Sequence, residues 1–243
     1  MDLLYFLTRR LEFIQRLYET AVAPFEETQR KINAAEEPYV PSFDPDDWSG
    51  DPPFLEEWQE ADESIMVIGH WCLCMVQSAL NIYLRDSISP IGWHWCDASV
   101  LSGLLGNKKG KSKFERYRRL FLEDLDIDWA KGPVSLPDLE QLNLTRDDLI
   151  HNVDMMSLSV QRDEKHVERF PNGLFTDELW RGLDSDRVRI DKKQLAHACD
   201  LVRSFCAWID GIRCSYPQYR KVIDAGQSWP PPSAVPIDGV EQG

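Results

Sequence analysis

Apolar residues recur at alternating spacings of three and four near the start of the chain. Leu4, Leu7, Leu11, Ile14, Tyr18 and Ala21 form one stripe, which predicts a long helix. Pro38, Pro41, Pro45, Pro52 and Pro53, with acids between them, end it in a loop spanning 34–53. A second helix is expected from Phe54 to Asp86 and a third from Lys113 to Asp124, while 87–106 reads as a turn at Pro90-Ile91-Gly92 followed by a short helix. After Gly132-Pro133, Thr145 is a good N-cap and Asp148 follows three residues on, a capping-box variant. Leu144 and Leu149 are spaced as a hydrophobic staple, so a helix is expected to begin at Arg146. Ser157 to Phe170 alternates enough to predict a hairpin turning at Arg162-Asp163-Glu164-Lys165, and Val188 with Ile190 suggests a further short strand. Asp191 can cap a last helix whose stripe is Leu195, Ala198, Val202, Phe205 and Ile209. Residues 226–243 have the composition of a disordered tail. The pattern is that of one all-α domain over 1–225, a helical bundle with a small, partly β insertion at 157–190.

Composition narrows the function. With 243 residues and 43% hydrophobic positions the chain can bury a sizeable core. Its 27 Lys and Arg against 41 Asp and Glu give a formal charge of −14, which argues against a surface that coats nucleic acid indiscriminately. The run from Ile65 to Leu84 is long enough to span a bilayer. It nevertheless holds His70, Gln77, Ser78 and Asn81, and a buried central helix accounts for the same pattern, so no membrane partner is expected. None of the six cysteines forms a Cys-x-x-Cys pair, and four lie in apolar helical segments, as expected of reduced thiols in a cytoplasmic protein. The N-terminal apolar stretch follows Asp2 and precedes Arg9 and Arg10, whereas a signal peptide places its positive charges first, so none is expected.

The sharpest local feature is Arg146-Asp147-Asp148-Leu149-Ile150-His151-Asn152. Arg offers a fork of donors suited to phosphate, and His titrates near neutrality and serves either proton role. Five residues along a helix put Arg146 and His151 about 140° apart, so one chain makes an incomplete site. The Arg-Asp-x-x-x-His string, on a late helix of an all-helical chain, resembles the HEPN superfamily of helical nucleotide-binding domains over roughly Phe54 to Ile212. That resemblance implies a HEPN-like bundle acting as a metal-independent endoribonuclease, in toxin–antitoxin, phage-defence or RNA-processing systems. It implies Arg146 and His151 as catalytic residues, Asp147 in the polar slot, and a homodimer whose two motif helices share one cleft. An antitoxin or other regulatory protein is a further implied partner. One branch of the superfamily carries a modifiable Tyr two residues after the His; Val153 stands there, so control by modification at that position is excluded.

Two plainer readings stand beside this one. Arg146 could pair with Asp147 and His151 with a core carbonyl, making the motif structural. A module of the same fold could also bind RNA or a protein without cleaving, or serve only in assembly. Residues 108–119 bear on the choice, because Lys108, Lys109, Lys111, Lys113, Arg116, Arg118 and Arg119 against Glu115 give +6 and leave −20 for the remainder. With Phe114 and Tyr117 interleaved, this segment is a candidate RNA-contacting surface, and equally a solvated face balancing nearby acids. Asn152 beside His151 joins the RNA-contacting set. Lys109-Gly110-Lys111-Ser112 lacks the earlier Gly of a P-loop. Trp93-His94-Trp95-Cys96 suggests core filling or a base-stacking pocket. His70 is expected to be a satisfied core histidine, His166 and His197 have no ligand partner at helical spacing, and neither a metal site nor a cofactor is expected.

Overall fold

The computed structural model describes residues 2–41, 52–88, 113–125, 127–154, 158–176 and 187–215. Its fold is all-α. In chain order the helices are α1 (Leu3–Asn33), α2 (Leu55–Ile88), α3 (Lys113–Leu125), α4 (Leu136–His151), α5 (Glu164–Arg169) and α6 (Lys192–Ser215), with a 3-10 turn at Trp129–Lys131 before α4. Residues 42–51 of the loop after α1, the Pro90-Ile91-Gly92 turn with the short helix expected after it, the Trp93–Cys96 cluster and the tail at 226–243 lie outside the described residues.

The long helices follow their apolar stripes. Asp2 caps α1, its carboxylate accepting from the Tyr5 amide at 2.9 Å, and Leu7, Leu11, Ile14, Tyr18 and Val22 are buried. α1 and α2 run antiparallel: Gln29 reaches Asp62 at one end, while Leu3 and Leu7 face Ala79 and Tyr83 at the other. α6 packs beneath both, with Leu195, Ala198, Val202, Phe205 and Ile209 all buried. Its start is a full reciprocal box, the Asp191 carboxylate accepting from the Gln194 amide at 2.7 Å and the Gln194 side chain accepting from the Asp191 amide at 3.0 Å. α2 is long and apolar enough, by length and composition, to cross a membrane, and half of its most apolar stretch is buried inside the protein.

Between α5 and α6 the chain returns across α2. Isolated antiparallel bridges join Val153 to Val160, Gln161 to Arg187 and Thr176 to Val188. The expected hairpin over Ser157–Phe170 is replaced where its turn and second strand would lie: Asp163 caps the short helix α5, its carboxylate accepting from the Lys165 amide at 3.0 Å. Local capping chemistry wins over a weak alternation. The return segment presses so closely on α2 that a Cβ on Gly69 would clash with the Ile190 carbonyl, so only glycine fits there. The Arg189 guanidinium forks onto the Asp62 carboxylate, holding the same segment from its outer side.

His70 is the core histidine expected, 8% exposed, with its Nε2–H donating to the Val188 carbonyl at 3.2 Å. Burial pushes its pKa down to about 4, and the Arg187 and Arg189 charges add to that, against the opposing pull of the Val188 carbonyl. Since the folded value lies below the ordinary His range near 6.5, the unfolded chain binds the proton first. The contribution is complete above about pH 6.5 and is lost as pH falls toward about 4, up to about 3 kcal/mol in all. Urea midpoints measured between those pH values should therefore fall more steeply for the native chain than for His70→Gln. Parallel curves would dismiss the effect.

Candidate functional site

The motif helix begins earlier than its sequence suggests. Ser135 caps α4, its hydroxyl accepting from the Asp138 amide at 3.4 Å, and Pro137 sits in the first turn. Thr145 is therefore not a cap: it lies inside the helix, 1% exposed. Arg146 and Asp147 fall in the last two turns and His151 is the final helical residue, with Asn152 as the C-cap. The correction changes the electrostatics. An anion beside His151 meets carbonyls at the negative end of α4, not free amides at its positive end. A phosphate held there must rely on side-chain cations.

Arg146 is half-buried, its Nη1 donating to the Asp147 carboxylate at 2.8 Å. This is the pairing that the plainer reading foresaw for Arg146. His151 behaves otherwise. It is exposed and has no hydrogen-bond partner among the described residues, whereas a core-satisfying histidine would be buried against a carbonyl. Asn152 is half-buried, its side-chain Nδ2 donating to the Asp148 carboxylate at 3.0 Å, which ties the C-cap to the helix.

Asp148 holds this end of the helix. It is 4% exposed and accepts from three donors: Asn152 Nδ2, the Asp163 amide at 3.1 Å, and His166 Nδ1 at 2.6 Å. His166 is 3% exposed and stands on α5, and its Nε2 has no partner among the described residues. Arg162, just before α5, donates to the Phe170 carbonyl at 2.6 Å and closes the far side of that turn. Sequence reasoning assigned Asp148 to a cap and His166 to nothing. The linking signal is a contact across 18 positions, which no local spacing reveals.

The basic segment divides. Lys108, Lys109 and Lys111 lie outside the described residues, and Lys113 opens α3. Arg118 reaches Glu115 at 3.5 Å, Arg119 is exposed, and the Arg116 Nε is buried without a partner among the described residues. Phe114 and Tyr117 are not stacking platforms: they are 7% and 1% exposed, and Phe114 packs with Phe121 and Phe205 around the fully buried Trp129. The aromatic spacing in this segment follows from docking α3 onto the core.

Four cysteines, Cys72, Cys74, Cys199 and Cys206, are free thiols, and burial pushes each up from its ordinary range. Among the described residues no three His, Cys, Asp or Glu side chains are grouped to hold a metal ion. Comparison of this chain with protein-family models, with curated proteins and with solved structures returns no match.

Proposed function

We propose that this chain is a metal-independent endoribonuclease of HEPN type, cytoplasmic and dimeric, with Arg146 and His151 as its working pair and Asp147 positioning the guanidinium. The observation that carries the reading is that His151 is exposed and without a hydrogen-bond partner among the described residues, on a helix end that Asp148 anchors from below. A free imidazole held on a fixed support is suited to proton transfer. In the reaction one imidazole takes the proton of a ribose 2′-hydroxyl as that oxygen attacks the adjacent phosphorus. The imidazole that took this proton, or the one the second copy supplies, gives a proton to the departing 5′-oxygen, leaving a 2′,3′-cyclic phosphate and a 5′-hydroxyl, so that one His151 and one Arg146 in a cleft suffice for turnover. The Arg146 guanidinium, turned by Asp147, supplies donors to the crowded phosphorane oxygens. Two imidazoles and two guanidiniums are available when a second copy brings its own motif helix to the cleft. Arg118 and Arg119 on α3, with the lysines before them, supply the RNA-contacting charge, and an antitoxin or regulatory protein that covers the cleft is the expected brake.

One observation favours a second reading, a module that binds RNA or protein without cleaving: Asp147 already neutralises Arg146. A complementation experiment decides. Arg146→Ala and His151→Ala chains, each inactive alone, are co-expressed with different tags, and the mixed dimer is purified. Recovery of cleavage with a cyclic-phosphate product is expected. Activity in either parent, or none in the mixture when native dimer cleaves, removes the composite site.

A further inference from the structure

The outward side of the α1–α2 hairpin is apolar where a surface helix pair would be charged. On α1, Phe6, Phe13 and Leu17 lie on one face, well away from the buried stripe, and are exposed; on α2, Trp71 and Ile82 do the same. Exposure reaches 70% at Trp71, 57% at Phe6 and 51% at Phe13. Because the helices are antiparallel, Phe6 falls beside Ile82, where both rim a groove of about 300 Å³. The same register sets Phe13 and Leu17 toward Met75 and Trp71.

Magnitude decides what this face is. Side chains of this size bury about 150–250 Å² each when fully covered, so the exposed fractions amount to roughly 500 Å² of apolar surface. That is at the upper end of what a lone soluble chain exposes, and with its polar rim it approaches the roughly 800 Å² per partner of a stable interface. Charge is sparse as well: on a chain with 28% charged residues, the middle of the face holds Arg10 and Ser78. Loss of charge at the centre with aromatics enriched is the composition of an interface core. The face is also continuous with the motif. The motif helix α4 docks along the α2 flank that bears Cys74 and Gln77, the Gln77 Nε2 donating to the Asn143 side-chain oxygen at 2.9 Å, one turn before Arg146.

We propose that a second copy of this chain seats on the outer α1–α2 face, with Trp71 and Phe13 as the main anchors. The proposal rests on the dimeric reading above and gives that dimer its surface, at the edge of the motif helix, where a single chain's site is incomplete.

Sedimentation velocity of the full chain at micromolar concentrations tests this. The native chain is expected to be a dimer, and Phe13→Glu combined with Trp71→Glu a monomer with an unchanged helical spectrum, its dissociation constant raised about 100-fold or more. Val40→Glu, an exposed apolar position on the loop after α1, away from both the face and the motif, is expected to remain dimeric. Should the glutamates unfold the chain, Phe13→Ser with Trp71→Ser removes the rings without adding charge and gives the same readout. A native monomer, or a dimer that survives both ring deletions, overturns the proposal. So does a monomer that cosediments with phosphatidylserine–phosphatidylcholine vesicles, which would assign the face to a lipid surface. Mass is read separately from cleavage: a dimer through this face that cuts no RNA removes only the ribonuclease reading, and cleavage by a dimer built elsewhere removes only this one.

Discussion

Changing His151 to alanine is expected to lower RNA cleavage by about 10²–10⁴-fold, the range for losing a positioned proton-transfer group. The fold should not notice. His151 ends α4, is exposed and has no hydrogen-bond partner among the described residues, so its removal should shift stability by less than about 0.5 kcal/mol. A loss of activity at unchanged urea midpoint and unchanged mass therefore reports chemistry. His151→Gln should be as inactive, because a carboxamide of similar reach cannot titrate. Arg146→Lys separates charge from geometry: it keeps the cation and loses the planar fork, so it should retain binding better than rate. Single-turnover cleavage of a fluorescent RNA by each purified variant measures all three. Full activity in His151→Ala would end the mechanism, whatever the fold of the chain.

How much of this was legible depends on the range of the contacts. α1, α2 and α6 follow from stripes at three- and four-residue spacing, and Asp191 with Gln194 caps α6 through purely local bonds. The start of α4 was misplaced for a physical reason. Thr145 with Asp148 and Ser135 with Asp138 are both start signals, and only burial of Thr145 against neighbouring elements chooses between them. The residues of the motif were legible while its polarity was not: Arg146 and His151 stand at the negative end of the helix rather than the positive one. Phe114 and Tyr117 show the same limit from the other side, since aromatic spacing alone does not tell a stacking surface from a helix face turned to the core. His166 was invisible, because its role is defined by a carboxylate on another helix.

That carboxylate gives the second large effect. Asp148→Ala is expected to cost about 3–5 kcal/mol, because it removes one member of a buried polar set and strands the rest. The Asp163 amide, the Asn152 side chain and His166 Nδ1 all lose their acceptor together, the last of them at a buried ring. Asp148→Asn should be milder. Its oxygen can still accept from Asp163 and Asn152, but its NH₂ then opposes the Nδ1–H of His166. Shifting that proton to Nε2 relieves the clash and leaves Nε2–H buried, where no acceptor stands among the described residues. Asp147→Ala, one position earlier and on the surface, should change stability by less than about 1 kcal/mol. The ordering Ala, then Asn, then the Asp147 variant is read from urea unfolding followed by circular dichroism. A value for Asp148→Ala within about 1 kcal/mol of the native chain would show that the set is not cooperative. Where Asp148→Asn remains folded, cleavage should still fall although neither Arg146 nor His151 has changed. Asp148 touches no substrate in this account; it fixes the helix end from which His151 projects, and a loosened support misplaces the imidazole by the fraction of an ångström that proton transfer does not tolerate.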